Sequence, residues 1–471
     1  LAVAIIRHGT PWLAILLAWT ACSTSPSERP NVVLILVDTL RRDHVGAYGY
    51  RRDTTPFIDS LADEGILFED AVAQAPWTSA SMASLWTSRY PSEVGGVVRP
   101  GDDGLRNLAK TPLLRLSESA PTLAALLSSA GYRTIAAVSN GYAGASVGLL
   151  RGFDSVLERP LAAGPLTDAA IAVLEAENDS APFFMYVHYR DAHEPTEPPE
   201  PYRTLFPSDD GAPHGPEHAR WLHGDVEDPD SPEVRAFRSH KLALYDGALR
   251  YIDDQVRRIA ARLEETGLLD ETIFVVASDH GEEFWDHARV GRALHVDPRG
   301  IWGIGHGHTL FGELLDVPLI LSGAGLPARR VPTQIRNLDL APTLLGLIGA
   351  SSEGTGMRGI DLIAAMEAGT LSPLLAMSED IAYGAGARSI DDGRHKLVRY
   401  ESTRDSRREL LFDRDKDPGE QRDRLAEEPD VARRLREALG VHEPGAVPTG
   451  ATPAELSEAK REELRALGYL D

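Results

Sequence analysis

Five short runs of unbroken apolar residues limit what this 471-residue chain can fold into: "NVVLILVD" from Asn31, "TIAAVS" from Thr134, "FFMYVH" from Phe183, "TIFVVAS" from Thr272 and "PLILSG" from Pro318. A run of this length with no polar alternation is the pattern of a strand covered on both faces. Helical patterns lie between the runs. Pro121 opens "PTLAALLSSAG", with Leu123, Leu126 and Leu127 on one face and Gly131 at the stop. A longer amphipathic helix is expected from about Ser239 to Gly267, where Leu242, Tyr245, Leu249, Ile252, Val256, Ile259 and Leu263 step by three and four residues. Strand and helix in alternation predict an α/β sandwich with a mostly parallel central sheet flanked by helices.

Ligands of such sheets gather at the carboxyl ends of the strands. Asp38 ends the first run, His188, Asp191 and His193 follow the third, and Asp279 with His280 follow the fourth. Three strands therefore deliver Asp and His to one edge, a donor set suited to zinc or manganese, with calcium also compatible. Gly281 allows the irregular turn through which adjacent Asp279 and His280 both reach one ion. His306 and His308 stand in a second glycine-rich stretch, "GIGHGHTLFG". Near the first strand "QAPWTSASMASLWTSRY" carries six hydroxyls, Thr78, Ser79, Ser81, Ser84, Thr87 and Ser88. Such clusters are ordinarily turns and caps, and the stretch alone does not say which hydroxyl, if any, is a nucleophile.

Lys and Arg number 48 against 71 Asp and Glu, a net charge of -23. That balance argues against a nucleic-acid backbone partner, which demands basic surface. The single cysteine, Cys22, excludes an internal disulfide framework and a multi-thiolate metal site. It follows Arg7, His8 and the short apolar run "PWLAILLAWTAC", the form of a signal-peptide core. Thr20 and Ala21 before it and "STSPSERP" after it resemble a bacterial lipoprotein signal, in which Cys22 is lipidated and becomes the mature N-terminus. The expected organisation is a signal over 1–22, a polar tether over 23–30, a catalytic domain over 31–371 and a small C-terminal α+β subdomain with a charged helical tail over 372–471. The protein would then be exported and periplasmic or cell-surface, meeting the membrane only through lipid. The first residue is Leu1, so the natural start is left open, as is the oligomeric state. The segment from Pro195 to Pro232 reads as a long surface insertion.

Taken together, "PNVVLILVDTLRRDHVGAYGY", "TTPFIDSLADEGILFEDAVAQAPWTSASMASLWTSRYP", "VVASDHGEEF", "GHGHTLFGELLDVPLI" and "ELLFDRDKDPGE" resemble, in order, the sulfatase-like branch of the alkaline phosphatase superfamily. The resemblance implies an alkaline-phosphatase-like sandwich and one or two divalent ions. It places the nucleophile at Thr78, with Asp38, Asp279 and His280 as ligands of the ion that holds the Thr78 oxygen. Asp191, His193 and His306 would hold a second ion, with His308 in reserve, and His193 or His308 would handle protons. Departures from the sulfatase pattern are as informative. The position of the convertible Cys or Ser is Thr78, the expected Arg is Met82, the second Asp of the start motif is Thr39, and Asn140 stands in the region of a sulfatase Lys and His. A threonine cannot become formylglycine, and threonine is what phosphodiesterase and phosphoglycerol-transferase branches carry there. The first expectation is a metal-dependent hydrolase of phosphate mono- or diesters acting on a small-molecule, glycan or lipid anionic ester, with Asn140 binding substrate. The alternatives are a sulfatase working without formylglycine and an inactive anion- or glycan-binding lipoprotein.

Overall fold

The computed structural model describes residues 29–176, 181–208, 221, 226–294, 297–402, 408–441, 452–455, 458, 461 and 462. Cys22 and its flanks lie outside the described residues, as do 209–220 and 222–225 of the insertion.

The five apolar runs all become strands of one sheet, and four further strands join them. In chain order these are β1 Asn31–Val37, β2 Ile66–Val72, β3 Arg133–Val138, β4 Ser155–Glu158, β5 Phe183–Tyr189, β6 Thr272–Ala277, β7 Asp316–Gly323, β8 Arg329–Val331 and β9 Ile335–Arg336. Their spatial order is β8-β2-β7-β6-β1-β5-β3-β4, with β9 also pairing β2. Only β7 runs against the rest, antiparallel to both β2 and β6. Pro318 inside it has no N–H to give, and the register with β2 slips between Val317 and Leu319 to accommodate it.

Alternate residues of β1 feed two cores. Val32, Leu34 and Leu36 face one layer, and Val33, Ile35 and Val37 the other. The first layer receives α2 Thr78–Thr87, α3 Leu123–Ser129 and α6 Leu340–Leu347; the second receives α1 Pro56–Glu64, α4 Ala163–Ala176 and α5 Pro232–Glu265. Two helix starts differ from the sequence reading. The long helix α5 begins earlier than expected because Ser231 caps it, its side chain accepting from Val234 N at 3.3 Å, and Pro232 fits the first turn. Pro121 stays outside α3, whose cap is Thr122, accepting from Ala125 N. The described part of the insertion lies along α5, where Tyr202 Oη donates to Asp254 at 2.7 Å.

Beyond the sheet, β10 Ala376–Glu379, β11 Ala387–Asp391, β12 His395–Tyr400 and β13 Glu409–Asp413 form an antiparallel sheet in chain order. Helix α7, Pro429–Val441, packs Leu435 and Leu439 against its Ile390, Leu397 and Leu411. Ion pairs fasten this unit to the main sheet: Arg414, just after β13, reaches Asp316 of β7 and Asp391, and Arg42 reaches Asp316 and Asp70. No helix among the described residues is long and apolar enough to cross a membrane.

Candidate active site

The register of β1 with β5 and β6 fixes where the polar residues fall. Leu36 sits opposite both His188 and Ala277, so Asp38 leaves β1 where Asp279 leaves β6. The loop after Asp38 is held on three sides. Asp38 N donates to Tyr189 O, Leu40 N to Ser278 Oγ, and Tyr245 Oη bridges Thr39 O and Arg41 N. Thr39, at φ 60°, occupies the left-handed region that a β-branched residue rarely visits. Such backbone is tolerated where the surroundings over-determine it.

Asp38, Asp279 and His280 are wholly buried, and one ligand atom from each lies within 4.8 Å of the others. His280 Nδ1 donates to Gly281 O at 2.8 Å, which leaves the unprotonated Nε2 facing Asp38 Oδ1 at 3.6 Å and Asp279 Oδ2 at 3.4 Å. His188 Nε2 is 3.4 Å from Asp38 Oδ2. Asp38 Oδ1, Asp279 Oδ2 and His188 Nε2 are buried without a hydrogen-bond partner. Burial, then the charge of Asp38, pushes the Asp279 carboxyl well above its ordinary range; burial would also raise Asp38, but His188, His193 and His280 pull it down. Two buried carboxylates and a lone pair converging on one point is a costly arrangement unless a cation compensates it. The donor set therefore fits a divalent ion held by Asp38, Asp279 and His280.

A second group lies beside the first. The His306 ring is 4.4 Å from that of His280 and 4.9 Å from that of His193. Burial holds all three imidazoles below the ordinary histidine value, His193 at about 4, so they are neutral at pH 7. His193 Nδ1 donates to Glu194 O, and His306 Nδ1 to Glu282 Oε1 at 3.0 Å, so each presents Nε2 as the acceptor nitrogen. Two expectations change here. Asp191 forms no close group with His193 and His306 among the described residues: its Oδ1 accepts from Ala163 N at the start of α4, its Oδ2 is buried without a hydrogen-bond partner, and burial raises it to about 6. His308 is engaged by Glu283, 2.7 Å from its Nε2, which supports the loop. The carboxylate the sequence reading passed over is Glu282, buried and raised to about 7 by that burial, which orients His306. Its signal was present in "SDHGEEF", one residue past the glycine.

The hydroxyl stretch resolves by hydrogen bonding. Ser79 Oγ donates to Tyr142 O and Ser81 Oγ to Asp279 O, both at 2.6 Å; Thr87 Oγ1 donates to Ala83 O, and Ser88 Oγ accepts from Gly359 N. Ser84 Oγ is buried without a hydrogen-bond partner, one helical turn beyond Ala80. Thr78 Oγ1, by contrast, lies 3.4 Å from His280 Nε2 and 3.3 Å from Asn140 Nδ2. Asn140 Oδ1 accepts from Tyr142 N at 2.8 Å, which fixes the amide so that its NH2 faces Thr78 Oγ1 and Asp38 Oδ2. Thr78 is also the first residue of α2, where the first-turn amides have no helical acceptor and favour an anion. Met82, in place of the expected arginine, is fully buried in the apolar layer.

The profile of the Sulfatase family matches residues 30–350. The Delta 4,5-hexuronate-2-O-sulfatase of Bacteroides thetaiotaomicron is 25% identical over 89% of this chain and 89% of its own length. The multifunctional alkaline phosphatase superfamily protein PehA of Trinickia caryophylli is 26% identical over 69% of this chain and 74% of its own. Among solved structures, the phosphonate monoester hydrolase of Agrobacterium radiobacter superposes with a TM-score of 0.65 at 22% identity, covering 88% of this chain and 95% of that one. The family profile runs through β1, α2, β5, β6 and β7, the elements that carry the buried Asp and His cluster, and this chain accordingly belongs to the sulfatase family, a hydrolase of sulfate or phosphate esters.

Proposed function

We propose that the protein hydrolyses phosphate or phosphonate esters through Thr78. The observation that carries this reading is the position of the Thr78 hydroxyl, which faces His280 and Asn140 while Ser79 and Ser81 are spent on backbone carbonyls. A divalent ion, zinc or manganese in the first place, held by Asp38, Asp279 and His280 would favour the alkoxide of a hydroxyl that is otherwise a weak nucleophile at neutral pH. Thr78 Oγ1 gives its proton to solvent water and attacks phosphorus, the P–O bond to the leaving group breaks, and the departing alkoxide takes up a proton from water. Asn140 Nδ2 donates to a non-bridging oxygen, and the first-turn amides of α2 face the same anion. In the second step water attacks phosphorus, the P–Oγ1 bond breaks, and Thr78 recovers a proton. The neutral Nε2 of His193 or His306 can accept the proton that the water gives up.

The absence of a convertible Cys or Ser, and apolar Met82 where an arginine is expected, argue for phosphorus over sulfur. The second reading, cleavage of a sulfate ester on a carbohydrate without formylglycine, is favoured by the hexuronate sulfatase likeness. The test is a panel of aryl phosphate, phosphodiester, phosphonate and sulfate esters sharing one leaving group, followed by rapid quenching and intact mass. The expected result is preference for phosphorus and an adduct on Thr78; an adduct on Ser79 or Ser81 would refute the nucleophile, and preference for sulfate would promote the second reading. We further propose division at about residue 371 and export with lipidation at Cys22. Cys22→Ser should move the protein out of the membrane fraction.

A further inference from the structure

The sheet β10–β13 carries a second cluster of metal-binding side chains that the reaction does not use. His395 opens β12 and Asp413 closes β13; the two are paired across the strands. Glu428 immediately precedes α7. One ligand atom from each of the three lies within 4.8 Å of the others. His395 Nε2 is 3.2 Å from Glu428 Oε2 and 4.0 Å from Asp413 Oδ2.

Each carboxylate is divided in its allegiance. Asp413 Oδ2 accepts from Lys416 Nζ at 2.6 Å and Arg394 Nη2 at 3.4 Å, and Glu428 Oε1 accepts from Arg424 Nε and Nη2 at 3.3 Å. Toward His395, Glu428 turns Oε2, which receives none of these donors, while Asp413 turns Oδ2, which it shares with Lys416 and Arg394; Asp413 Oδ1 and His395 Nε2 are buried without a hydrogen-bond partner. His395 is 7% and Asp413 1% exposed, so water compensates neither freely. An imidazole nitrogen turned toward carboxylate oxygens at these spacings needs either a proton or a metal ion between them. Movements of up to about one ångström would bring the three to about 2.0–2.2 Å from a common zinc, with a fourth position open.

We infer a second divalent-cation site, of zinc type, formed by His395, Asp413 and Glu428, whose role is structural. It joins the end of the β12–β13 pair to the start of α7, an attachment otherwise made by Leu435, Leu439 and the surrounding ion pairs. Lys416 and Arg394 offset part of the acidic charge, so zinc held here is expected to be weaker than at a site with no competing cations.

The experiment uses the full-length protein as parent, Glu428→Gln and Asp279→Ala, each equilibrated with Zn²⁺, dialysed and assayed for zinc per chain. Glu428→Gln should hold one equivalent less than the parent at an unchanged ester-hydrolysis rate. Asp279→Ala should lose activity yet keep the equivalent that disappears when Glu428→Gln is added to it. Chelation should lower the Tm of Asp279→Ala and leave that of the double variant unmoved. Equal zinc with and without Glu428 would overturn the inference, as would an NMR titration showing His395 protonated at pH 7.5 in zinc-saturated protein. If Glu428→Gln does not fold, His395→Gln is read by the same zinc count.

Discussion

Thr78 and Ser79 are adjacent hydroxyls on one helical turn, yet they should behave differently when removed. Thr78→Ala takes away the attacking oxygen and should lower kcat by about 10³-fold or more with Tm little changed, while Thr78→Ser keeps part of the rate. Ser79→Ala instead strips the donor from Tyr142 O and should cost about 1 kcal/mol of stability, read by urea unfolding, with kcat within a few-fold of the parent. Asn140→Ala should lower kcat by ~10²-fold, because its amide is fixed toward the reacting oxygen before substrate arrives. Asp279→Ala should remove the ion held beside Thr78 together with activity, leaving the equivalent at His395, Asp413 and Glu428 in place, checked by metal content. At this scale the sequence was legible where a residue ends an unbroken apolar run, as Asp38 and Asp279 do. It was not legible where a turn decides direction. Asp191 follows β5 by two residues but is captured by the free amide of Ala163, a long-range event that no local pattern records.

Among the elements, the turn from β6 into the short antiparallel pair of Glu283–Phe284 and Ile304–Gly305 has little room to change. Gly281 N donates to Leu314 O, and a Cβ on Gly281 would come within 2.0 Å of Glu313 O. Gly281→Ala must therefore shift backbone that holds both His280 and Glu282. The expected outcome is loss of bound metal and activity in a protein that still shows native far-UV circular dichroism, because the displaced segment lies outside the sheet. Helix starts were read imperfectly for a related reason. The apolar stripe of α5 announces the buried face, but its first turn is set by the Ser231 cap and Pro232, outside the periodic pattern. The reversed direction of β7 was not legible at all, since a strand buried on both faces looks the same in either orientation.

At the scale of the whole molecule, His287 is one group through which pH acts on stability. Its Nδ1 is 2.7 Å from Glu313 Oε1, its Nε2 is 3.1 Å from Glu420 O, and its ring stacks on Phe311, so an imidazolium has an acceptor at each nitrogen. Burial, the largest single influence, would lower its pKa; the charge and hydrogen bond of Glu313 together with the charges of Glu283 and Glu420 outweigh it and raise the pKa from 6.5 to about 9. A folded value above the unfolded one means that the stabilisation is complete below about pH 6.5 and disappears as pH rises through about 9. On the order of 3 kcal/mol should be lost over that window, seen as falling urea midpoints in the parent and a flatter profile in His287→Gln. The order of strands in the main sheet has a different consequence, for the timing of synthesis. Strand β2 has β7, β8 and β9 as its neighbours, with Phe68 opposite Leu319. At roughly 5–20 residues per second, β2 emerges on the order of ten to fifty seconds before any strand it pairs with exists. Through that interval "ILFEDAV" is an unpaired, largely apolar edge on a growing chain, and whatever shields it then is as necessary to the finished enzyme as the contacts that cover it later.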